Sequence, residues 1–261
     1  MNLPSRIGRA SARRASFAGL LLCGILVVFG TCAHADWQIP AGANVQLTGG
    51  HIGLGGTDLL VSGTLGLGSG SVDLAGAVSI NPGGVIDAGS GLIELAGTWS
   101  NFGSFLAGSS VVQFVDGIQA QAGVSGDSVF HNLSFVSATG KAYIFSVGTT
   151  QGIDGLLTIL GSAAPAIQMA SSTAGQVAYI NLLPTGSQSI ANVGVSDVHA
   201  IGQPLAPDQS NQGGSGNDLG WFGNTVFVAG IPLPTLSPVW LAILALLLIV
   251  MVTRQRRAMG R

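Results

Sequence analysis

Charged residues are scarce in this chain, and basic residues are almost absent from its middle. Aspartate, glutamate, lysine and arginine together make up 8% of the sequence. All eleven acids lie between Asp36 and Asp218, where Lys141 is the only base, and the other eight basic residues lie near the two ends. Because phosphate binding needs a basic patch, this acidic middle excludes nucleic acid and anionic lipid as its ligands.

Cysteine and aromatic residues are also rare. The two cysteines, Cys23 and Cys32, both lie near the N-terminus, so the rest of the chain can form neither a disulfide nor a thiolate metal site. The sequence contains no phosphate-binding loop, zinc-ligand spacing or nucleophile elbow. Aromatic residues account for only 6%, which disfavours a sugar-cleaving groove. The sequence therefore predicts a protein that is not an enzyme and that needs no cofactor.

Sustained helical periodicity is absent between Asp36 and Gly230, where glycine is abundant. The chain contains 41 glycines, and short alternating runs of valine, leucine and isoleucine lie between them. Disordered chains combine low hydrophobicity with high net charge, which is the opposite pattern. The middle therefore predicts short β-strands separated by turns of glycine, serine, asparagine and proline.

A short repeat runs through the first half of this region. The segment Gly68–Gly76 matches Gly89–Gly97, and Gly108–Phe114 follows at a similar interval. We interpret Val45–Gly49 as an earlier, isolated copy. In each copy apolar residues flank one polar residue, which strand alternation predicts to face solvent. These polar residues are Gln46, Asp73, Glu94 and Gln113.

A period of about 20 residues predicts a solenoid, in which coils stack on one another and bury a continuous apolar column. The fold class is therefore all-β, with a β-solenoid over residues 36–223 as the ectodomain and a β-sandwich as the alternative. The best strands of the less regular second half are Phe130–Phe135 and Gly155–Leu160. Glycine fits the corners of coils, where backbone with positive φ is needed.

Residues 1–35 read as a secretory signal peptide. A basic segment precedes the apolar run Phe17–Phe29, and Ala33 and Ala35 provide a small-x-small cleavage site before Asp36. We expect the chain to use the general secretion machinery and to lose this segment. An uncleaved signal anchor is the alternative, although this apolar run is short for a membrane span of about 20 residues.

The C-terminal region predicts a membrane-associated tail. A proline-rich linker over residues 224–238 leads to an apolar segment, residues 239–253, which we predict to be a short transmembrane helix. Residues 254–261 form a basic cytoplasmic tail, in which Arg254, Arg256 and Arg257 set the orientation, because basic residues beside a span stay in the cytoplasm. The acidic middle would then lie outside the inner membrane.

Two resemblances follow from these residues. Phe130–Phe135 and Gly155–Leu160 resemble strands of the right-handed parallel β-helix passengers of bacterial surface proteins. This resemblance covers roughly residues 44–222. The tail resembles the IPTL-CTERM sorting tail, a relative of PEP-CTERM, through Pro234, Thr235, Leu236 and Trp240. It departs from that pattern at Leu233, at Leu241 and in the spacing before the tryptophan. The second resemblance implies that an exosortase-type transpeptidase cuts near the motif.

Few residues are candidates for chemistry. Gly213–Leu219 resembles the start of a calcium β-roll repeat, which makes Asp218 a weak calcium candidate, although a loop that ends the solenoid is the favoured interpretation. Asp197 and His199 could form an orienting pair, and His131 lies among aromatic residues. Asp73 and Glu94, one repeat apart, are the candidate carboxylate pair of a glycoside hydrolase, although stacked coils produce such pairs by default.

These features favour an exported, non-enzymatic protein of the bacterial cell envelope. We expect it to be held briefly in the inner membrane and then sorted to the surface or the medium, with an adhesive or matrix role and extracellular polysaccharide as a candidate partner. The alternatives are a carbohydrate-active β-helix enzyme, a membrane-tethered calcium-dependent module, and a type I membrane protein whose tail is never cleaved.

Overall fold

The computed structural model describes residues 36–224, and this part of the chain is a parallel β-solenoid of about eight turns. Each of the first seven coils places one strand on each of three sides, and neighbouring coils pair in parallel throughout this range. A β-sandwich is built from antiparallel strands, so that alternative is wrong. Among residues 36–224 the structure contains no helix that could cross a membrane.

The first side of the solenoid is one continuous sheet, which we call sheet 1. Its eight strands are β1 (Trp37–Ile39), β4 (Leu59–Val61), β7 (Val78–Ile80), β10 (Trp99–Asn101), β13 (Gln121–Ser125), β16 (Ala142–Phe145), β19 (Ile167–Ser171) and β22 (Val193–Ser196). We number the coils by these strands, from the first coil, residues 37–57, to the eighth.

The second side is also one sheet, sheet 2. Its seven strands are β3 (His51–Gly53), β6 (Ser71–Ala75), β9 (Leu92–Leu95), β12 (Val111–Phe114), β15 (Asn132–Ser137), β18 (Leu156–Gly161) and β21 (Ser187–Ala191). The repeat found in the sequence follows this sheet, because Ile93 pairs with Val72 on one side and with Val112 on the other.

The third side is divided between two sheets. Sheet 3 serves the first four coils and contains β2 (Asn44–Gln46), β5 (Thr64–Gly66), β8 (Val85–Asp87) and β11 (Ser104–Leu106). Sheet 4 serves the later coils and contains β14 (Ser128–Phe130), β17 (Thr150–Ile153), β20 (Ala178–Leu182) and β23 (Val198–Ala200).

Two details of the predicted repeat are wrong. Val45–Gly49 is not an earlier copy, because Val45 pairs with Leu65 in sheet 3, whereas the strand that pairs with the first copy is β3. In β6 a register shift between Val72 and Ala75 places Leu74 at φ +51°, with its side chain exposed. Ala75 takes the buried position that the alternation had assigned to Leu74.

The coils lengthen along the chain, which explains why the second half has no clear sequence period. The step from Leu59 to its partner Val78 is clearly shorter than the step from Ile167 to its partner Val193. The predicted strand Phe130–Phe135 is in fact two strands, because the chain turns at His131 from sheet 4 into sheet 2. Gly155–Leu160 is confirmed, shifted by one position, as β18.

A single apolar column fills the solenoid. Coils four to six are packed with aromatic rings, such as Phe114 stacked on Phe135 with ring centroids 4.8 Å apart. Tyr143 contacts Phe135 at 4.6 Å, and Trp99 contacts Phe130 at 5.4 Å. Because offset and edge-to-face ring pairs add to the free energy of burial, these residues stabilise the centre of the column.

The two ends of the solenoid differ. The strands of the first coil each pair only with strands of the second coil among the described residues. Inward residues of the first coil such as Val45 are partly exposed, whereas Leu65, the partner of Val45 in the second coil, is fully buried. At the other end, residues 205–224 form a terminal cap over the eighth coil. Trp221 of this cap is fully buried, and it bridges to Leu205.

Candidate functional site

The outer surface of sheet 4 brings polar side chains from successive coils into one row. Asp127 precedes β14, and its carboxylate Oδ1 accepts a hydrogen bond from the Thr150 amide at 2.8 Å. Thr150 pairs with Tyr179, which pairs with His199 in the next coil. The rings of Tyr179 and His199 meet edge to face, with centroids 6.1 Å apart. We call these four residues the polar row.

A second row of sheet 4 contains a gap in its side chains. Val129 pairs with Gly152, and Gly152 pairs with Asn181. Val129 is about half exposed. Because Gly152 has no side chain, a shallow depression with a volume of about 270 Å³ lies beside Val129. The depression is lined by Asp127, Ser128, Val129, Thr150, Gly152, Asn181 and Leu183. We call it the Gly152 depression.

Buried polar contacts hold the floor beneath this depression. Ser128 is buried, and its hydroxyl accepts hydrogen bonds from the Trp99 indole and from the Asn101 amide, both at 3.1 Å. Gln151 is also fully buried, and its amide donates to the Gly126 carbonyl at 2.8 Å. Because buried polar groups with partners fix side-chain positions, these contacts help to position Ser128 and Gln151 beneath the surface.

His131 lies at the corner where the chain leaves sheet 4. Its Nδ1 is 2.8 Å from the Asp154 carboxylate, which comes from the following coil. The two side chains are 35% and 44% exposed, so a ligand on sheet 4 could reach them. This histidine was a sequence candidate, and the structure pairs it with an acid that the sequence alone did not indicate.

Asp197 and His199 do not bond directly, although the sequence placed them as a pair. His199 Nε2 lies 3.0 Å from Asn217 Oδ1, and the Asn217 amide donates to Asp197 at 2.6 Å. The Asn217 bond and the Gly175 amide hold the pKa of Asp197 below its usual range, against the opposing effect of burial. Asn217 thus links the two residues, and it does so from the terminal cap.

The other sequence candidates lie elsewhere. Asp73 makes a 2.5 Å contact with His51 of the first coil, and it lies on sheet 2, beside the strand that carries Glu94. The two carboxylate oxygens of Asp218 accept hydrogen bonds from the Asn211 and Asn224 amides, at 2.7 and 2.8 Å. Each oxygen of Asp218 therefore already accepts a hydrogen bond from a neutral amide, which suits a structural role in the cap. Within residues 36–224 the structure contains no cluster of three or more acidic, histidine or cysteine side chains arranged to hold a metal.

The residues predicted to direct export and sorting lie outside residues 36–224. These are Ala33 and Ala35 at the cleavage site, Pro234, Thr235, Leu236 and Trp240 in the tail, and Arg254, Arg256 and Arg257 beyond it. The predicted linker from residue 225 onward, the transmembrane helix and the basic tail lie outside that range as well. These assignments stay predictions.

Sequence reasoning missed Asp127, Thr150, Tyr179 and Asn181. Their spacing is irregular, since the step from Asp127 to Thr150 is shorter than the step from Thr150 to Tyr179. A fixed-period search cannot align such residues, and only the strand register brings them together. The one available signal was Tyr179, a lone aromatic residue between apolar positions of a strand.

Chemically, the outer surface of sheet 4 provides hydrogen-bonding groups around a flat floor. Asp127 and Asn181 provide carboxylate and amide groups, and Tyr179 provides an aromatic ring that is partly exposed. Such a set suits recognition of a ligand rich in hydroxyl groups, because hydroxyls both donate and accept hydrogen bonds.

Comparisons with protein-family models, curated proteins and solved structures found no match to this chain.

Proposed function

We propose that this chain is an exported, non-enzymatic protein of the bacterial envelope that is sorted to the surface through its C-terminal tail. One observation carries the proposal: the solenoid fills the interval between the two predicted targeting segments. Its first strand begins at Trp37, immediately beyond the predicted cleavage site at Ala35, and its terminal cap extends to residue 224, shortly before the prolines that begin at Pro232.

The proposed route has two cleavages. The secretion machinery would take residues 1–35, and the segment 239–253 would hold the chain in the inner membrane with Arg254 in the cytoplasm. An exosortase-type enzyme would then cut near Thr235 and pass the solenoid outward, to the surface or the medium. We also propose that the solenoid is right-handed, which is the sense of nearly all parallel strand crossovers.

We assign the adhesive or matrix role to the outer surface of sheet 4. Its Tyr179 ring, its Asp127 and Asn181 side chains and the Gly152 depression favour an extracellular polysaccharide as the partner. The net charge of the described residues is strongly negative, since eleven acids face one lysine, so the polysaccharide would be neutral or basic rather than acidic.

Mass spectrometry of the protein from membrane and medium fractions tests the sorting proposal. We expect an N-terminus at Asp36 in both fractions and a C-terminus near Thr235 in the medium. The matched control is a variant with Pro234→Ala, Thr235→Ala and Leu236→Ala, which should accumulate in the membrane with its C-terminus intact. Recovery of Arg261 in every wild-type fraction would show that the tail is only an anchor.

Retention on a panel of immobilised neutral and basic polysaccharides tests the adhesive role. We expect Tyr179→Ala to weaken retention about tenfold, which corresponds to roughly 1.4 kcal/mol of binding free energy. Gly152→Val should weaken it as well, by filling the depression. Phe102→Ala is the control, because Phe102 is an exposed aromatic residue outside sheet 4. Equal losses in Tyr179→Ala and Phe102→Ala would contradict a site on sheet 4.

A further inference from the structure

The first coil carries a row of backbone groups without partners among the described residues. Strands β1, β2 and β3 each pair on one side only, with β4, β5 and β6. In a parallel ladder, successive residues direct their N–H and C=O groups to opposite neighbours. Because the Leu47 amide donates to Gly66 in the second coil, the amide of Gln46 points to the free edge. The same alternation directs the Gln38 amide outward, since the Trp37 amide donates to Asp58.

The inward side chains of the first coil form an apolar end surface. Trp37, Val45, Leu47 and Leu54 pack against the core but are only partly buried, whereas Ile39 of the same coil is fully buried. Their neighbours one coil further on, such as Leu59, Leu65 and Leu67, are fully buried. The difference arises because no described residue stacks on the first coil. Solenoids need capped ends for solubility, so this end favours a partner wherever no other part of the chain covers it.

Charge that would prevent association is absent from this coil. Residues 37–57 contain no lysine, arginine, aspartate or glutamate, although the rest of the described chain carries eleven acids. Exposed strand edges are normally protected by charged residues or by proline within the strand, and β1, β2 and β3 contain neither. The one titratable side chain of this coil is His51, which contacts Asp73 of the second coil. Two first coils can therefore approach each other without repulsion between lysine, arginine or carboxylate side chains of their own.

The opposite end of the solenoid cannot serve as the partner. The terminal cap covers the eighth coil, where Val193, Val195 and Val198 are fully buried. Asp218 fastens the cap by accepting hydrogen bonds from Asn211 and Asn224. A head-to-tail contact would require this end to be open, so the free first coil of one molecule matches only the first coil of another.

We propose that two copies of this chain associate through their first coils, edge to edge, and form a closed dimer. The contact buries both apolar end surfaces and lets the free amides of β1 and β2 pair across the junction. Because each molecule uses the same surface, the assembly stops at two copies instead of growing into a filament. Removal of residues 1–35 would leave only Asp36 ahead of the first strand, so the edge would be open in the processed protein.

Chemical cross-linking of the full chain in producing cells tests the dimer. In a Cys23→Ser, Cys32→Ser background, Gln38→Cys places one thiol on the first coil, and Ser215→Cys places one on the terminal cap. Both positions are exposed. With a homobifunctional maleimide, we expect a cross-linked dimer from Gln38→Cys and monomer from Ser215→Cys. Monomer from both variants, or equal dimer from both, would overturn the proposal.

A matched pair of variants tests whether the edge amides make the contact. Gln46→Pro removes the free amide without removing a hydrogen bond to the second coil, and proline is tolerated on an edge strand. Gln46→Thr removes the same side chain and keeps the amide. By light scattering of detergent-extracted protein, we expect dimer for Gln46→Thr and at least about a tenfold weaker dimer for Gln46→Pro. Equal dimer in both variants would overturn edge pairing.

The masses of the termini, measured on the same samples, separate this inference from the proposed function. An unprocessed chain that still dimerises would contradict sorting and leave the dimer standing. A processed chain that stays monomeric would contradict the dimer and leave the sorting proposal standing. The melting temperature of each variant confirms that the solenoid is folded before its association is compared.

Discussion

At the scale of single residues, Lys141 shows how this fold accommodates a charge in its interior. It is the only lysine or arginine between residues 36 and 224, and its side chain is 1% exposed. Its ammonium donates to the carbonyls of Ala96 and Val115, so one side chain joins the corners of three coils. Burial lowers the pKa of Lys141, and the negative charge of Asp116 partly opposes that change.

We expect Lys141→Met to destabilise the protein. Methionine has a similar length, but it leaves the Ala96 and Val115 carbonyls without their donor, which costs about 1–3 kcal/mol of unfolding free energy. Urea denaturation followed by circular dichroism measures this loss. Gln121→Met, at an exposed position of sheet 1, is the control and should change stability little. An unchanged or higher stability in Lys141→Met would mean that the lysine is not a structural link.

At the scale of the strand and its turn, one glycine column explains the sequence repeat. The leading glycines of the three copies, Gly68, Gly89 and Gly108, have φ of +63°, +55° and +56°. They also stack closely, since a Cβ on Gly89 would collide with the Gly68 carbonyl oxygen. Both constraints exclude other residues at Gly89 and Gly108, whereas at Gly68 a Cβ would make only ordinary contact with Thr48 and the positive φ alone favours glycine.

Gly89→Ala and Gly83→Ala separate these two constraints. Gly83 also has a positive φ, of +84°, but a Cβ there would meet no atom within 4 Å. We expect Gly83→Ala to lose about 1–2 kcal/mol through backbone strain alone. Gly89→Ala should lose about 1–3 kcal/mol more, because its methyl group must displace the coil beneath. Denaturant titration gives both values, and equal losses would show that stacking adds no constraint.

The sequence predicted this element only where its corners repeat. Sheet 2 was recognised because Gly68, Gly89 and Gly108 start each copy at nearly equal spacing. Val45 was misplaced because alternating apolar residues look the same on every side of a solenoid, and only pairing shows which side a strand occupies. Sheet 4 was not predicted because its coils differ in length. The step from Thr150 to its partner Tyr179 therefore does not match the period of the repeat.

At the scale of the whole molecule, the described solenoid is capped at one end only. Within the cap, the two amide bonds to Asp218 join Asn211 to Asn224, the last described residue. The sequence predicts that Gly213–Leu219 is a loop at the end of the solenoid. The structure places these residues in a loop beside the eighth coil, with one bridge from Gly216 to Ser196. It could not predict that Asn211 and Asn224 supply the donors, because such bonds depend on the folded path of the loop.

We expect Asp218→Ala to loosen the cap and change the mode of association. With the eighth coil exposed, the free first coil of another copy can add head to tail, and such contacts produce open chains. Light scattering should then increase with concentration far beyond the size of a dimer. Asp208→Ala is the control, since Asp208 is an exposed acid of the same cap. A dimer of unchanged size in Asp218→Ala would contradict this role.

Chelation with EDTA tests the weak calcium hypothesis at the same position. Because amide donors face both oxygens of Asp218, we expect EDTA to leave the wild-type melting temperature unchanged. A drop that is restored by added calcium would instead place an ion at the cap.

The parallel stacking of coils also determines how the molecule would respond to mechanical force. The strands of each coil pair only with strands of adjacent coils, and the described residues contain no cysteine that could lock one coil to another. A pull between the first strand and the terminal cap would therefore peel the solenoid one coil at a time. The shortest coils would each release roughly 60 Å of extended chain, and the longer coils of the second half would release more. If the proposed adhesive role holds, the solenoid would act as a tether that lengthens in steps under load before the attachment fails.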